Sequence, residues 1–126
     1  MSRVFVFGSN ERGVHGAGAA AYAVQHHGAV VGQGEGLQGN SYAIPTKDRY
    51  IRTLPLEYID EYVRRFLEFA FEHPELEFDM TRIGCGLAGY CDEEIAPMFK
   101  SVPSNCWLPE AWKQWVASDT NFNEFR

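Results

Sequence analysis

The sequence predicts an α/β domain with a three-layer α/β/α architecture and a mostly parallel mixed sheet. Two observations lead to this prediction. Short apolar runs that are typical of buried strands alternate along the chain with segments of helical periodicity. Glycine-rich loops follow two of these apolar runs. The chain has 126 residues, so we expect a single domain over residues 1–126.

The first half of the chain is predicted to contain three strands and one helix. The run Arg3–Phe7 is too apolar for a half-exposed strand, which favours a buried one. A helix is predicted over Gly16–His27, because this segment is rich in alanine and Gly28 can end it. Ala29–Val31 is predicted to be a minimal strand, and Ser41–Pro45 a longer one.

The second half continues the alternation of helix and strand. Leu56–His73 is predicted to be a helix because its apolar residues recur at spacings of three and four. Leu76–Ile83 begins with alternating apolar residues and is predicted to be a strand. Asp92–Ser101 is predicted to be a helix with acidic residues in its first turn. Cys106–Leu108 is predicted to be a last strand, and a closing helix is expected to begin at Pro109.

Composition and charge exclude several classes of protein. The formal net charge is −6, which argues against an extended nucleic-acid-binding face because such faces depend on clustered Lys and Arg. No apolar stretch approaches the roughly 20 residues that span a bilayer. Strand-like residues follow directly on Met1, with no room for a signal peptide, so the sequence predicts a cytoplasmic protein without a membrane partner.

The cysteines and histidines give no support to a metal site or a disulfide framework. The three cysteines, Cys85, Cys91 and Cys106, are odd in number and lack the spacing of a zinc site. Cys85 is interpreted as a small buried residue, since no base that would make it a nucleophile is evident nearby. We therefore predict neither a metal nor a cofactor.

The glycines form two clusters that indicate a phosphate or ribose site. Nine of the twelve lie between Gly8 and Gly39, and the others are Gly84, Gly86 and Gly89. A glycine-rich loop between a strand and a helix lets backbone N–H groups approach a phosphate closely. Tight turns alone would explain one or two glycines but not a run of them. The dinucleotide-binding fingerprint is incomplete, and the Walker pattern is absent from the sequence.

Three polar residues are candidates for ligand contact, each with an ordinary alternative. Asn10 could bond a ribose hydroxyl or hold a turn through its own backbone. His15 could contact the ligand or cap the helix that follows. Lys47 follows a predicted strand end, where it could pair with phosphate, act as a nucleophile, or simply pair with Asp48 as a solvated cation.

Three blocks of sequence resemble the macro domain family. Thr81–Leu87 resembles the family's arginine-isoleucine-glycine-cysteine-glycine-leucine signature. His15–Ala20 is similar to the glycine-alanine-glycine loop, and Ile44–Lys47 to the lysine-bearing strand end, of the branch with terminal ADP-ribose protein glycohydrolase and ADP-ribose-1″-phosphate phosphatases. The spacing between the blocks also fits, so the resemblance covers most of Val4–Leu108.

The resemblance implies a macro-like fold that binds ADP-ribose, or an ADP-ribosylated macromolecule, through two loops. It implies catalytic roles for Lys47, as the nucleophile at the anomeric carbon, and for Asn10. The implied ligand contacts follow the family's loops and are Gly8, Ser9, Asn10, His15, Gly16, Ala17, Gly18, Thr46, Gly84, Cys85, Gly86, Leu87, Ala88, Gly89 and Tyr90.

Two departures from the family pattern leave two functions open. Ala88 stands where the glycohydrolase has an aspartate, and Asp48 and Asp92 are the acids that could replace it. The preceding strand, with its adenine-binding aspartate, has no counterpart before Arg3. The protein is therefore expected to hydrolyse an ADP-ribosyl linkage or ADP-ribose-1″-phosphate or, as the alternative, to bind such ligands without catalysis.

Overall fold

The computed structural model describes residues 2–123. Its six strands form one sheet in the order β2-β3-β1-β4-β5-β6. Neighbouring strands are parallel except β2 and β3, which are antiparallel. The strands are β1 (Val4–Asn10), β2 (Gly36–Gln38), β3 (Ser41–Lys47), β4 (Phe78–Met80), β5 (Cys106–Pro109) and β6 (Asn121–Asn123). The predicted α/β class with a mostly parallel mixed sheet is confirmed.

The α-helices of the described residues are fewer than the strands. They are α1 (Gly18–His26), α2 (Leu56–Glu72) and α3 (Asp92–Ile95), with 3-10 segments at Ala96–Phe99 and Glu110–Trp115. Within residues 2–123, no helix is both long and apolar enough to cross a bilayer.

Side chains of β1 alternate between two apolar layers, one on each face of the sheet. Val4 and Val6 join the larger core, which α2 covers with residues such as Phe66. Phe5 and Phe7 face the other way, into a smaller core formed with the alanines of α1. The alternation follows from the two-residue period of a strand. The sheet is therefore buried on both faces around β1, which is the three-layer arrangement.

The weaker elements differ from their predictions for local reasons. Ala29–Val31 is not a strand, because the Val30 N–H donates to the Gln38 side chain (2.8 Å) and Val31 is 69% exposed. The strand that precedes β3 lies later in the chain than predicted and is β2. Gly39, with a φ of 59°, begins the two-residue turn that connects β2 to β3. The strand at Leu76–Ile83 is reduced to β4, because both the N–H and the hydroxyl of Thr81 donate to the Val6 carbonyl.

Two helix predictions are also corrected. The helix expected over Asp92–Ser101 remains α-helical only to Ile95, and Pro97 lies in the 3-10 turn that follows, since proline cannot donate a helical hydrogen bond. The closing helix after Pro109 is a 3-10 segment. β6 was not predicted at all.

The order of the central strands places the candidate site. β1 lies between β3 and β4 and is parallel to both. Because the carboxyl ends of parallel strands meet at one edge, the segments after Asn10, Lys47 and Met80 lie side by side. Ligands of open α/β sheets bind at this edge.

Candidate functional site

A cleft of about 790 Å³ lies at the carboxyl ends of β1, β3 and β4. Its volume is in the range typical of small-molecule sites. The start of α1 and the loop after β4 line it, so the two predicted loops do meet. Thirteen of the predicted site residues line it: Gly8, Ser9, Asn10, Gly16, Ala17, Gly18, Thr46, Lys47, Gly84, Cys85, Gly86, Leu87 and Ala88.

The first loop presents the uncapped N-terminus of α1 to the cleft. Ala17 occupies the N-cap position and makes no side-chain capping bond. The first backbone N–H groups of a helix have no partner within the helix, and they carry partial positive charge. A Cβ added at Gly16 would meet no atom within 4 Å. The loop therefore has both the donors and the open space that an anion needs.

Most polar side chains of the cleft are already bonded to the protein. The Asn10 amide donates to the Val14 carbonyl (2.8 Å) and accepts from the Val14 N–H (3.0 Å), which is the turn-holding alternative. Ser9 donates to the Gly34 carbonyl, and Thr46 donates to the Ser9 carbonyl (3.3 Å). These hydrogen bonds shape the first loop.

Lys47 is the exception. Among residues 2–123 its half-buried side chain has no ion pair and no hydrogen-bond partner. Asp48, the alternative partner, accepts hydrogen bonds from the Arg52 N–H (3.0 Å), the Tyr50 N–H (2.8 Å) and the Arg52 guanidinium (3.2 Å), and these bonds, that of the Arg52 N–H first, lower the pKa of its carboxyl. Lys47 therefore lines the cleft without an acidic partner, because the neighbouring acid is occupied by its own turn.

A polar cluster fixes the start of the second loop. Both oxygens of Asp92 accept hydrogen bonds from Arg82 (2.9 and 2.7 Å), and the Trp112 indole donates to one of them (2.8 Å). The Arg82 hydrogen bonds hold the pKa of Asp92 below its usual value. Burial, together with Asp92, raises the pKa of Cys85 to about 12. Cys85 is therefore a protonated thiol at neutral pH, in keeping with its predicted structural role.

No carboxylate lines the cleft among the residues that the structure describes. Lys47 and Arg82 are its only charged lining residues there. The two acids that could have replaced the family aspartate do not line the cleft. Asp48 is bonded within its own turn, and Asp92 is bonded to the second loop. Ala88 keeps its predicted place in the wall, where its carbonyl accepts the Thr53 hydroxyl (2.8 Å).

Three predicted contacts lie outside the lining of the cleft. His15 is buried beside Phe7, and its Nε2 bonds the Gln33 carbonyl (3.0 Å), so the ring braces the first loop from behind. Tyr90 donates its hydroxyl to the Leu54 carbonyl (2.7 Å). Gly89 has a φ of 89° and serves the turn between these segments.

Other lining residues were missing from the sequence prediction. Phe5 and Tyr22, whose ring centroids are 5.5 Å apart, both line the cleft. Ile51 also lines it and has a φ of 65°, an unusual conformation for a β-branched residue. Tyr22 follows Gly18 by four residues, so it lies on the same face of α1. That spacing was the one signal in the sequence that could have identified it.

The fold and the cleft define a class: an α/β domain with a cleft at the carboxyl edge of its sheet. Residues 2–123 contain no group of three or more metal-ligating side chains that could hold an ion. Comparison with protein-family models, with curated proteins and with solved structures gave no match for this chain. The likeness to macro domains therefore rests on the three sequence blocks.

Proposed function

We propose that the protein binds ADP-ribose, or the ADP-ribosyl group of a modified macromolecule, in this cleft. The observation that carries the proposal is that the unpaired side chain of Lys47 and the uncapped start of α1 line the same cleft, which has no acidic side chain among its described residues. Both features favour a ligand with a diphosphate. The macro-like sequence blocks line the same cleft and supply the ribose part of the proposal.

The charge distribution supports an anionic ligand. The whole chain has a formal net charge of −6, yet the charged side chains among the described lining residues, Lys47 and Arg82, are both cations. Asp92 balances the charge of Arg82 (2.7 Å), so Lys47 is the unpaired cation of the cleft. A unit charge pair near a protein surface attracts by about 4 kcal/mol at 4 Å. A local cationic site in an acidic protein therefore selects a small anion rather than a long polyanion.

The cleft supports binding better than hydrolysis. Hydrolysis of a glycosidic linkage uses a carboxylate to activate water or to assist the leaving group. Asp48 and Asp92 are held away by Arg52 and Arg82. A binder that holds the ligand without cleaving it is thus the first candidate.

The second candidate is a hydrolase in which Lys47 attacks the anomeric carbon. The unpaired side chain of Lys47 is the observation that favours it. The amine would form a C–N bond as the C–O bond to the leaving group breaks, and water would then release the sugar. Because residue 88 is alanine, the wall of the cleft offers no acidic side chain at that position to assist the release of the sugar by water.

Titration calorimetry with ADP-ribose tests the first candidate. Lys47→Ala should weaken binding by about 10- to 150-fold, because a hydrogen bond to a charged group contributes about 1.5–3 kcal/mol. Lys47→Arg should retain most of the affinity, since the charge stays. Lys113→Ala, an exposed lysine outside the cleft, is the matched control. Equal affinities in wild type and Lys47→Ala would remove Lys47 from the site.

Release of ADP-ribose from a modified protein tests the second candidate. Turnover by the wild type that is lost in both Lys47→Ala and Lys47→Arg would identify a nucleophile, because a guanidinium stays protonated and cannot attack. Borohydride trapping of a lysyl adduct would give direct support. Tight binding without turnover would leave the binder. All three cysteines are free, which fits the cytoplasmic location that we propose for either function.

A further inference from the structure

The mouth of the cleft is marked by lining residues that are also exposed to solvent. Val14, Ile51 and Leu87 line the cleft and are 45%, 41% and 72% exposed. Val14 belongs to the first loop, Leu87 to the second, and Ile51 to the turn that follows β3. A ligand that is attached to a macromolecule has to leave the cleft past residues of this kind. The macromolecule would therefore contact the segments that carry them.

The turn after β3, at residues 48–52, is the best organised of these segments. The Asp48 carboxylate accepts the N–H groups of Tyr50 (2.8 Å) and Arg52 (3.0 Å). The Asp48 carbonyl accepts the Ile51 N–H (3.0 Å). These bonds hold Ile51 at its positive φ of 65°, a strained conformation of the kind that is found at binding sites. The turn is therefore a fixed structure and can present its side chains in one arrangement.

The base of this turn is tied to the cleft on two sides. Lys47 and Thr53 form a bridge between the two ends of the turn. The Thr53 hydroxyl donates to the carbonyl of Ala88, which lines the cleft in the second loop (2.8 Å). The turn thus stands between Lys47 and the second loop, and through Ile51 it forms part of the mouth.

The tip of the turn carries an exposed aromatic ring together with two guanidinium groups. Tyr50 is 68% exposed. The guanidinium carbons of Arg49 and Arg52 lie 5.9 and 5.0 Å from the centroid of its ring. Cation–π attraction acts over such distances and keeps the three side chains together. Tyrosine and arginine are both enriched in protein–protein interfaces and among the residues that dominate their energy. The tip therefore has the composition of a surface that binds a polypeptide.

The charge of the turn favours an acidic partner. Residues 47–52 contain three cations and a single acid. Asp48 balances Arg52 (3.2 Å), whereas Lys47 and Arg49 form no ion pair in the part of the chain that the structure describes. Guanidinium groups bind carboxylates through charge-assisted hydrogen bonds. With Lys47 assigned to the ligand inside the cleft, Arg49 is the cation that is available to a carboxylate outside it.

Two properties favour a polypeptide over a nucleic acid at this surface. The cationic segment is short, and the net charge of −6 on the chain repels a long polyanion. In addition, the exposed side chains of Ile51 and Leu87 at the mouth offer apolar contacts. Such contacts suit the side chains of a peptide better than a phosphate backbone.

We propose that the turn at residues 48–52 binds the polypeptide that carries the ADP-ribosyl group, and that it prefers acidic residues next to the modified one. The proposal rests on the proposed binding function and names the class of modified macromolecule. The cleft holds the ADP-ribosyl group, Tyr50 packs along the peptide, and Arg49 pairs with a carboxylate beside the modified residue.

Calorimetry with free ADP-ribose and with three synthetic peptides tests the proposal. Each peptide carries one ADP-ribosyl group through a triazole, which cannot be hydrolysed, and the modified position is flanked on both sides by glutamate, glutamine or lysine. The glutamate peptide should bind the wild type at least about fivefold more tightly than the lysine peptide, because each exposed ion pair changes affinity by about 1.5- to 5-fold. High salt should reduce this preference.

A charge-neutral variant assigns the preference to the turn. Arg49→Gln should lower the preference for the glutamate peptide by about two- to fivefold, the effect of one ion pair. It should bind free ADP-ribose as the wild type does, which also shows that it is folded. Arg64→Gln removes an exposed arginine on α2 and is the matched control, with the wild-type preference expected.

The outcomes separate this inference from the proposed function. If the wild type binds free ADP-ribose but binds the three peptides equally well, the inference is wrong and the binding function stands. A preference that is unchanged in Arg49→Gln would remove the turn from peptide recognition. Tighter binding of an oligonucleotide with the same ADP-ribosyl group than of the glutamate peptide would overturn the choice of a polypeptide. Failure of the wild type to bind ADP-ribose or any conjugate would overturn the binding function and this inference together.

Discussion

Gly13, Gly34 and Gly39 differ from Gly16 and Gly86 in what a side chain would meet at each position. An added Cβ would lie 2.4 Å from a backbone atom at each of the first three. It would meet no atom within 4 Å at the other two. The first group lets loops of the protein cross each other, and the second lines the cleft.

The difference shows that a glycine-rich sequence has two physical meanings. Close backbone approach excludes a side chain because the protein itself fills the space. At Gly16 and Gly86 no protein atom fills that space, which leaves it open to another molecule in the cleft. Gly18 falls between the groups: a Cβ there would touch Leu87 at 3.5 Å, and its φ of 59° would strain a side chain. Gly16 is therefore the better position for testing the cleft.

The largest expected effect is on folding, at Gly39. Gly39→Ala should lower the free energy of unfolding by about 2–4 kcal/mol, from a left-handed backbone and from overpacking. The Cβ would lie 2.4 Å from the Gly28 carbonyl oxygen. Urea denaturation measures the loss. Gly16→Ala is the control and should keep the wild-type stability; equal stability losses in the two variants would abolish the distinction.

A smaller effect is expected on binding, at Gly86. Gly86→Glu should weaken ADP-ribose binding about tenfold or more, because a carboxylate would enter a cleft whose described charges are cationic. Gly86→Gln, of similar size but neutral, separates charge from bulk and should weaken binding less. Both should melt close to the wild type. An unchanged affinity in Gly86→Glu would place the diphosphate elsewhere.

The smallest effect concerns Asp92, which anchors the second loop only. Its pKa lies below the ordinary 3.8, mainly because Arg82 donates to it. The stabilisation is present above pH 3.8 and is lost as the pH falls through the lower, folded-state value. Asp92→Asn should therefore be less stable than the wild type at neutral pH, by about 1 kcal/mol because Arg82 is partly exposed.

Unfolding followed from neutral pH to strongly acidic pH provides the measurement for Asp92. The difference between the wild type and Asp92→Asn should shrink as the wild-type carboxyl becomes protonated. A difference that stays constant with pH would mean that the ion pair contributes nothing and that only the Trp112 hydrogen bond matters.

The sequence predicted the elements with strong local signals. α2 was predicted to within one residue, because its apolar stripe and Pro55 are both local features. The prediction of a strand at Ala29–Val31 was wrong, because the Val30 N–H donates a hydrogen bond to a side chain eight residues away. No local pattern contains that bond. β6 is too short to give a periodic signal.

The candidate site shows the same limit. Lys47 and the glycine loops could be placed because they follow strand ends, which parallel pairing brings to one edge. His15 was assigned to the ligand, although its partners Gln33 and Gln38 come from a loop about twenty residues on. Tyr22 was missed because its half-exposure depends on how α1 packs over β1. Alone, a tyrosine in an alanine-rich helix is unremarkable.

Ala88 bears on how the chemistry of the cleft could change during evolution. Its main chain is fixed by the Thr53 hydroxyl, so the backbone there does not depend on which side chain the residue carries. Alanine and aspartate codons can differ by one base. One base change can therefore place an acid in the wall of this cleft, and under the proposed function such a change could exchange retention of the ligand for its turnover while the backbone stays the same.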